Sequence, residues 1–306
     1  MYDLIIIGGG PAGLCAAVYA ARKLLKTMLI SLDIGGQVNN TWGIQNYLGY
    51  QFIEGPELIR KFESQVDQFP VDKKIGVRVN RLERTTEGFR VKTDTGEAWE
   101  SRTVILATGK KSRKLGVPGE TELTGRGVTY CAICDGPVFA GQRVAVVGGG
   151  NSAVGAVLDM APIAEHVDLV SLDALTADPL IVEQLKNLKN LSIYTGYQAE
   201  KVDGDGLVSG LAIRDAAGKD SRRLDVKGVF VEIGLTPNSD LVKDLVELNR
   251  LGEVPVSCFS ETTLPGLYAA GDVTDVPEKQ IIIAAGEGAK AALQAHRYLR
   301  NPTPAS

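Results

Sequence analysis

The sequence is poor in the residues that metal centres and disulfide-rich secreted domains require. It contains two histidines and four cysteines among 306 residues. A structural zinc site needs four ligands, and His166 and His296 each stand alone, so we expect no metal. Cys15 and Cys258 are also isolated, and the one remaining cysteine pair does not make the framework of a small secreted domain.

The sequence also lacks a basic excess and a long apolar run. Lysine and arginine number 33 against 37 acidic residues, a net charge of −4, whereas a nucleic-acid surface needs a basic patch. No stretch approaches the roughly 18 apolar residues that span a bilayer. The apolar run Leu4–Ile7 is too short for a signal peptide and has no basic leader. These absences argue against nucleic acid as a partner and predict a cytoplasmic protein.

Glycine, in contrast, is abundant, with 35 residues, and much of it follows short apolar runs. Leu4–Ile7 predicts a buried strand, Pro11–Lys26 a helix with an alanine-rich face, and Met28–Ile30 the next strand. The same β-α-β pattern recurs in the second half of the chain, at Val144–Val147, Asn151–Met160 and Val167–Val170.

Each unit ends in a further apolar run, at Val104–Leu106 and at Val229–Ile233. The polar, proline-containing segments that follow, Lys110–Glu120 and Leu235–Asp240, predict interdomain linkers. The expected fold is therefore α/β, with two Rossmann-like, three-layer ββα dinucleotide-binding domains, the second inserted in the first. The predicted bounds are 1–114 and 237–306 for the discontinuous first domain and 115–236 for the inserted one.

The first glycine cluster has the spacing of a dinucleotide-binding turn. Gly8, Gly10 and Gly13 form G-x-G-x-x-G between a strand and a helix, where they allow a tight turn, approach of a pyrophosphate and close packing. The phosphate would lie on the helix N-terminus. Asp33, after the next strand, is placed to bond ribose hydroxyls. The motif predicts an adenine dinucleotide, and the alternative is a glycine turn without a ligand.

A second fingerprint, G-x-G-x-x-A, is formed by Gly148, Gly150 and Ala153 in an equally good context. It predicts a second fold of the same kind. Whether a nucleotide occupies it is a separate question that the glycines alone do not answer.

Cys131 and Cys134 form a C-x-x-C, which is followed by Asp135. This spacing depresses the pKa of one thiol and favours an exchangeable disulfide. Asp135 is placed to move the proton that thiol exchange requires. The alternatives are a zinc site, which the shortage of ligands opposes, and an inert pair. We expect Cys15 on the first helix and Cys258 in a strand to be small buried hydrophobic residues.

In their order and spacing, these motifs resemble the low-molecular-weight thioredoxin reductase family over nearly the whole chain. The family implies a flavin-linked thiol–disulfide oxidoreductase with FAD in the first domain and a pyridine nucleotide in the inserted domain. It also implies a homodimer, a thioredoxin-like or other dithiol or disulfide protein as partner, and rotation of the inserted domain. The motifs that carry the resemblance are Gly8–Gly13, Gly35–Gln37, Asn46, Ala107–Gly109, Cys131–Gly136, Gly148–Ala153 and Gly271–Val273.

The resemblance assigns roles by position. Cys134 would contact the flavin, Cys131 would exchange with the partner protein, and Asp135 would be the acid/base. Asp272 would bond the ribityl or phosphate end of the flavin. The residues assigned to FAD are Gly8, Gly10, Pro11, Ala12, Gly13, Asp33, Gly35, Gly36, Gln37, Asn46, Ala107, Thr108, Gly109, Gly271, Asp272, Lys279, Gln280 and Ile281, the last two through backbone N–H groups.

The sequence departs from the family after the second β-α-β unit. Members that use NADPH carry a His-Arg-Arg run and a further arginine that grip the 2′-phosphate. Here Ser171–Ala177 reads Ser-Leu-Asp-Ala-Leu-Thr-Ala, with no arginine and with Asp173 in their place. Trp42 is a second departure, where the family has a small hydroxyl residue. The residues assigned to the second nucleotide site are Gly148, Gly150, Asn151, Ser152, Ala153, Ser171 and Asp173.

These departures resemble a branch of the family that works without pyridine nucleotide, linked to ferredoxin or to a second flavin. The leading prediction is therefore an FAD enzyme that does not use NADPH, with a second FAD, NADH or an empty pocket at the second turn. An NAD(P)H-dependent thioredoxin reductase, a flavin enzyme of the ferredoxin–NADP reductase type and a flavin-binding sensor are the alternatives. The direction of electron flow and the identity of the donor and of the partner stay open.

Overall fold

A computed structural model describes residues 1–41 and 43–301. By its internal contacts the chain divides into two compact units. The first consists of Met1–Asn39, Pro56–Lys111 and Thr236–Ser306, and the second of Asn40–Gly55 and Ser112–Leu235. The segment Asn40–Gly55, which the sequence assigned to the first domain, thus groups with the second unit. The prediction about Trp42 lies outside the described residues.

The first unit is built on a seven-stranded sheet. Strands β1 (Tyr2–Gly9), β2 (Thr27–Ile34), β3 (Asp72–Ile75), β6 (Ala98–Leu106) and β17 (Leu267–Ala269) pair in parallel, and β4 (Val79–Arg84) and β5 (Phe89–Thr93) extend the sheet as an antiparallel hairpin. The helices of this unit are α1 (Pro11–Arg22), α2 (Gly55–Val66) and α6 (Ile281–Arg300).

Alternate residues of β1 enter two separate cores. Leu4 and Ile6 pack with α1 and α6 on one side of the sheet, while Ile5 and Ile7 pack with the hairpin strands on the other. All four are at most 3% exposed, as expected for a parallel strand that is covered on both faces. The apolar run that predicted a buried strand therefore gives the central strand of the unit.

The second unit has the three predicted layers. A parallel sheet contains β8 (Val128–Thr129), β9 (Arg143–Val147), β10 (His166–Ser171), β11 (Leu191–Thr195) and β15 (Gly228–Val231). Helices α3 (Ala132–Asp135), α4 (Asn151–Met160) and α5 (Pro179–Gln184) belong to this unit, as does an antiparallel sheet of β12 (Tyr197–Asp205), β13 (Leu207–Asp215) and β14 (Ser221–Leu224). Val144 and Val146 face the α4 core, and Ala145 and Val147 face the antiparallel sheet. The predicted fold class is confirmed.

The two predicted linker segments contain short strands that pair with each other, β7 (Lys110–Ser112) and β16 (Leu235–Pro237). Within the described residues, no helix is both long and apolar enough to cross a membrane.

Two local predictions are wrong. Helix α1 ends at Arg22 and not at Lys26, because Leu24 adopts a left-handed φ of 59° and Leu25 donates its N–H back to Ala20 O at 3.2 Å. This is the hydrogen-bonded stop of a helix C-terminus, which glycine usually provides. Cys258 lies in an exposed turn and not in a buried strand.

Candidate functional site

The first glycine turn has the geometry that a bound pyrophosphate requires. A Cβ added at Gly8, whose φ is +115°, would lie 2.2 Å from Ala107 O, and one added at Gly13 would lie 1.8 Å from Gly8 O. A Cβ at Gly10 would meet no atom within 4 Å. The outer two glycines are therefore required by packing, while the middle one borders open space through which a phosphate can approach.

The N-terminus of α1 carries no competing negative charge. Gly10 is its N-cap, Pro11 opens it, and its first turn has neither a side-chain cap nor an acidic residue. Free N–H groups and the helix dipole favour an anion at such a terminus. Ser31, which sequence reasoning missed, orients the turn by accepting a hydrogen bond from Gly9 N at 2.8 Å.

The end of β2 brings the predicted acid to the same turn. Gly35 donates its N–H to Gly9 O at 2.8 Å, and Asp33 Oδ1 accepts from Gly36 N at 2.9 Å. Gly35 and Gly36 have φ of 107° and 56°, the left-handed region that favours glycine. Gln37 follows in a 3-10 helix, and Asn46 lies in the segment that groups with the second unit.

Ala107, Thr108 and Gly109 lie beside this turn and are fixed by a residue that the sequence did not single out. Ala107 N donates to Ile7 O at 2.8 Å. Asn238 donates its side-chain N–H to Thr108 O at 2.9 Å and accepts from Thr108 Oγ1 through its backbone carbonyl at 2.8 Å. The only sequence signal for Asn238 was its place after the second linker proline.

Asp272 and Lys279, both assigned to FAD, belong to a partly buried charged cluster. Burial raises the pKa of Asp272, and the positive charges of Lys279 and Lys110 oppose that shift. Lys110 forms an ion pair with Glu253 in which both side chains are 8% exposed, and Lys279 approaches the same carboxylate at 3.5 Å. Sequence reasoning missed Lys110 and Glu253, because a buried ion pair has no local spacing signal.

The remaining predicted FAD residues surround the start of α6. Gly271 N donates to Glu287 Oε2 at 2.8 Å, so a buried acid of α6 fixes the turn before Asp272. Gln280 is the N-cap of α6 and Ile281 is its first residue, with no side-chain cap and no acid in the first turn. This helix start, like that of α1, keeps its N–H groups free of side-chain caps.

The cysteine pair forms a disulfide at the start of α3. Cys131 and Cys134 are bonded, with their Cα atoms 5.3 Å apart, and Cys134 N also donates to Cys131 Sγ at 3.2 Å. Both cysteines are partly accessible, and Ile133 between them is 59% exposed. A formed but accessible disulfide is what exchange with another protein requires.

Asp135 lies at the end of the same short helix and is 5% exposed. Burial raises its pKa to about 6, although hydrogen bonds from Thr129 and from the Gly43 backbone oppose the shift. Thr129 donates its hydroxyl to Asp135 and accepts from Cys131 N at 3.3 Å. A carboxyl with such a pKa can hold or release a proton near neutral pH. Thr129 was missed because it lies before the motif.

The second glycine turn repeats the geometry of the first. A Cβ added at Gly148, whose φ is +146°, would lie 2.2 Å from Glu232 O, and one added at Gly150 would find its nearest atom 4.0 Å away. Ala153, the third residue of the fingerprint, is fully buried. Helix α4 starts at Asn151 with no side-chain cap and no acid in its first turn. The second turn is therefore as open to a pyrophosphate as the first.

The segment after β10 folds against this turn. Thr176 N donates to Gly149 O at 2.8 Å, and Asp178 N donates to Asn151 Oδ1 at 2.7 Å. Ser171 is buried and Asp173 is exposed. The Asn151 side chain, predicted to bind nucleotide, thus holds the backbone of the loop that replaces the arginine-rich segment.

Glu232, which the sequence did not single out, connects the two parts of this unit. Its Oε2 accepts from Ser152 Oγ at 2.5 Å, and its carboxylate also accepts from the backbone of Ala132. Burial raises its pKa, and these two hydrogen bonds oppose the shift.

Comparison with known proteins assigns the family. Residues 2–290 match the family model described as pyridine nucleotide-disulphide oxidoreductase. The chain belongs to the pyridine nucleotide-disulphide oxidoreductase family. The predicted enzyme class, a flavin-linked disulfide oxidoreductase of the thioredoxin reductase type, is thereby confirmed, and FAD is supported as its cofactor.

Curated relatives of this oxidoreductase include an alkyl hydroperoxide reductase subunit of Staphylococcus aureus (strain MSSA476), 44% identical over 299 residues. The corresponding alkyl hydroperoxide reductase protein of Pseudomonas aeruginosa (strain PAO1) is 44% identical over 303 residues. Each alignment covers 97% of this chain but only 59% and 58% of the relative. The chain therefore spans about three-fifths of the length of these curated relatives.

Solved structures of similar fold include thioredoxin reductase from Streptococcus pyogenes, with a TM-score of 0.93, 37% identity and 98% of both chains covered. Thioredoxin reductase from Giardia duodenalis gives a TM-score of 0.90 at 29% identity, covering 98% of this chain and 99% of that one. In the described part of this oxidoreductase, no group of three or more His, Cys, Asp or Glu side chains is placed to hold a metal ion.

Proposed function

We propose that the chain is an FAD-dependent oxidoreductase that carries electrons between a pyridine nucleotide, preferably NADH, and a protein disulfide through Cys131 and Cys134. The observation that carries this proposal is the presence, in one unit, of a formed disulfide and an open second glycine turn. FAD would supply the link between a hydride donor and a dithiol. The predicted assignment of FAD to the first unit and of the nucleotide to the second is part of the proposal.

The residues of the first unit have chemistry that suits FAD. The open face at Gly10 and the uncapped start of α1 suit its pyrophosphate, and Asp33 suits the adenosine ribose. Asp272 and Lys279 would lie toward the flavin end, with backbone N–H groups of Gln280 and Ile281. These roles stay proposals, because they are carried over by position from the family resemblance.

The disulfide would exchange in the following way when the partner is reduced. The Cys131 thiolate attacks a sulfur of the partner disulfide and expels one partner thiolate, which takes up a proton. The Cys134 thiolate then attacks Cys131 Sγ, which releases the second partner thiolate and restores the Cys131–Cys134 bond. Asp135 would hold the proton that leaves the attacking thiol and return it to a departing thiolate.

The loop after β10 supports NADH over NADPH. A hydrogen bond to a charged group contributes about 1.5–3 kcal/mol, and about 1.4 kcal/mol is tenfold in affinity. The absence of two or three arginine contacts should therefore weaken 2′-phosphate binding by roughly two to four orders of magnitude. Ser171 and Asp173 suit an unphosphorylated ribose, and Asp173 would repel a 2′-phosphate.

The experiment is anaerobic stopped-flow reduction of the flavin by NADH and by NADPH. We expect rapid reduction at micromolar NADH and at least a hundredfold lower apparent affinity for NADPH, since about two charged contacts are missing. The double substitution Leu172→Arg plus Asp173→Arg should improve NADPH binding and weaken NADH binding. Rapid flavin reduction at micromolar NADPH by the unchanged protein would contradict this assignment.

A second candidate is an enzyme that takes no electrons from pyridine nucleotide, with ferredoxin or a second FAD as its redox partner. The specific observation in its favour is the same arginine-free stretch, Ser171–Ala177. A flavin count near two per chain, with one equivalent lost in Gly150→Val, would support this candidate. The intact second turn and the family membership favour the nucleotide-dependent alternative.

Three further predictions stay with this proposal. A thioredoxin-like or other dithiol or disulfide protein is the expected partner, in either direction of electron flow. The homodimer and the cytoplasmic location are expectations from the family resemblance and from the sequence. Light scattering of the purified protein tests the first of these two expectations.

A further inference from the structure

Glu232 lies directly after β15 and contacts both chemically important parts of the second unit. Its carboxylate accepts from Ser152 Oγ at 2.5 Å, in the first turn of α4, and from the backbone of Ala132, the first residue of α3. A Cβ added at Gly148 would lie 2.2 Å from the Glu232 carbonyl oxygen. One residue therefore joins the disulfide helix to the glycine turn.

A pyrophosphate at the second turn would use the donors that this carboxylate contacts. Phosphate oxygens accept from first-turn N–H groups and hydroxyls at a helix N-terminus, and Ser152 provides the hydroxyl here. Two anions at one donor repel each other. The Ala132 N–H belongs to another helix and does not take part in this competition.

We propose that Glu232 is a positioning residue that couples occupation of the second glycine turn to the disulfide helix. A bound pyrophosphate takes the Ser152 hydroxyl, and the Glu232 carboxylate then rests on the Ala132 N–H beside the cysteine pair. A carboxylate closer to the pair disfavours its thiolates and makes the dithiol a stronger reductant. This inference rests on the proposed function, because it requires a dinucleotide at the second turn.

The first test uses ADP-ribose, which carries the pyrophosphate but no reducible nicotinamide. Calorimetric titration of the oxidised FAD-loaded protein should give binding at least about fivefold tighter for Glu232→Gln than for the unchanged chain, the lower end of usual coupling between sites. The gain should shrink in a Ser152→Ala background, because both residues act on one hydroxyl. Glu183→Gln, an exposed acid on α5, is the matched control for charge and should bind like the unchanged chain.

The second test measures the equilibrium of the disulfide with dithiothreitol, with and without saturating ADP-ribose. The coupling is reciprocal, so ADP-ribose should shift this equilibrium toward the disulfide at least about fivefold in the unchanged chain. The shift should disappear in Glu232→Ala, and Glu232→Gln should reduce it if the alanine variant fails to fold. A merely structural role for Glu232 would leave this ligand-dependent shift in place.

The outcomes separate this inference from the proposed function. Equal ADP-ribose affinity for the unchanged chain and Glu232→Gln, or a disulfide equilibrium that ignores ADP-ribose, would overturn the inference while leaving the nucleotide site intact. Absence of ADP-ribose binding in every variant would overturn the proposed function and this inference with it.

Discussion

At the scale of single residues, Asp135 makes folding depend on pH. Its pKa is raised from 3.8 to about 6 by burial, so between those values the folded chain binds a proton that the unfolded chain releases. The free energy of unfolding should therefore fall as pH rises through this window, by up to about 3 kcal/mol at 1.36 kcal/mol per unit. Asp135→Asn should lack this fall, which denaturant titrations at several pH values would measure.

Thr129 gives a control for that prediction. Its hydroxyl lowers the pKa of Asp135, so Thr129→Val should move the upper end of the window to higher pH. If Asp135→Asn and the unchanged chain lose stability in parallel between about pH 4 and pH 6, the titration does not belong to Asp135.

The roles of the two cysteines are a second prediction at the residue scale. Cys131→Ser should leave Cys134 as a lone thiolate beside the flavin and give a long-wavelength charge-transfer band in the absorption spectrum. Cys134→Ser should give none, although it too removes the disulfide. A band in Cys134→Ser alone would reverse the assignment of the flavin-contacting and partner-exchanging thiols.

At the scale of elements, the glycines of one turn should respond differently to the same substitution. Gly13→Val brings a side chain to a position 1.8 Å from Gly8 O, and overpacking of this kind costs about 1–3 kcal/mol or more. Gly10→Val meets no atom within 4 Å, so the fold should persist while bound FAD is lost. Thermal unfolding and the flavin absorbance of the purified variants test both statements, and equal destabilisation would contradict them.

Local patterns explain why the sequence predicts these elements well. Apolar runs followed by glycines placed β1, β9 and the starts of α1 and α4, since a dinucleotide turn depends on neighbours in sequence. Residues that reach the turns from afar were missed. Ser31, Asn238 and Glu232 contact the turns only after the sheets form, and no spacing rule marks them. The stop of α1 was also missed, because Leu24 takes a conformation that glycine usually adopts.

At the scale of the whole molecule, the proposed enzyme has one redox centre at the flavin and one at the cysteine pair. Each centre stores two electrons, so the FAD-loaded chain should accept four from a strong reductant. A chain with both Cys131 and Cys134 replaced by serine should accept two. A second FAD would raise both counts by two.

The most direct test of the central claim is therefore an anaerobic titration with NADH, after the FAD content per chain has been counted. We expect one FAD per chain, reduction of flavin and disulfide by two equivalents of NADH, and two new thiols that appear only when Cys131 and Cys134 are present. A flavin that NADH leaves oxidised while dithionite delivers four or six electrons would contradict the claim that this chain draws on pyridine nucleotide.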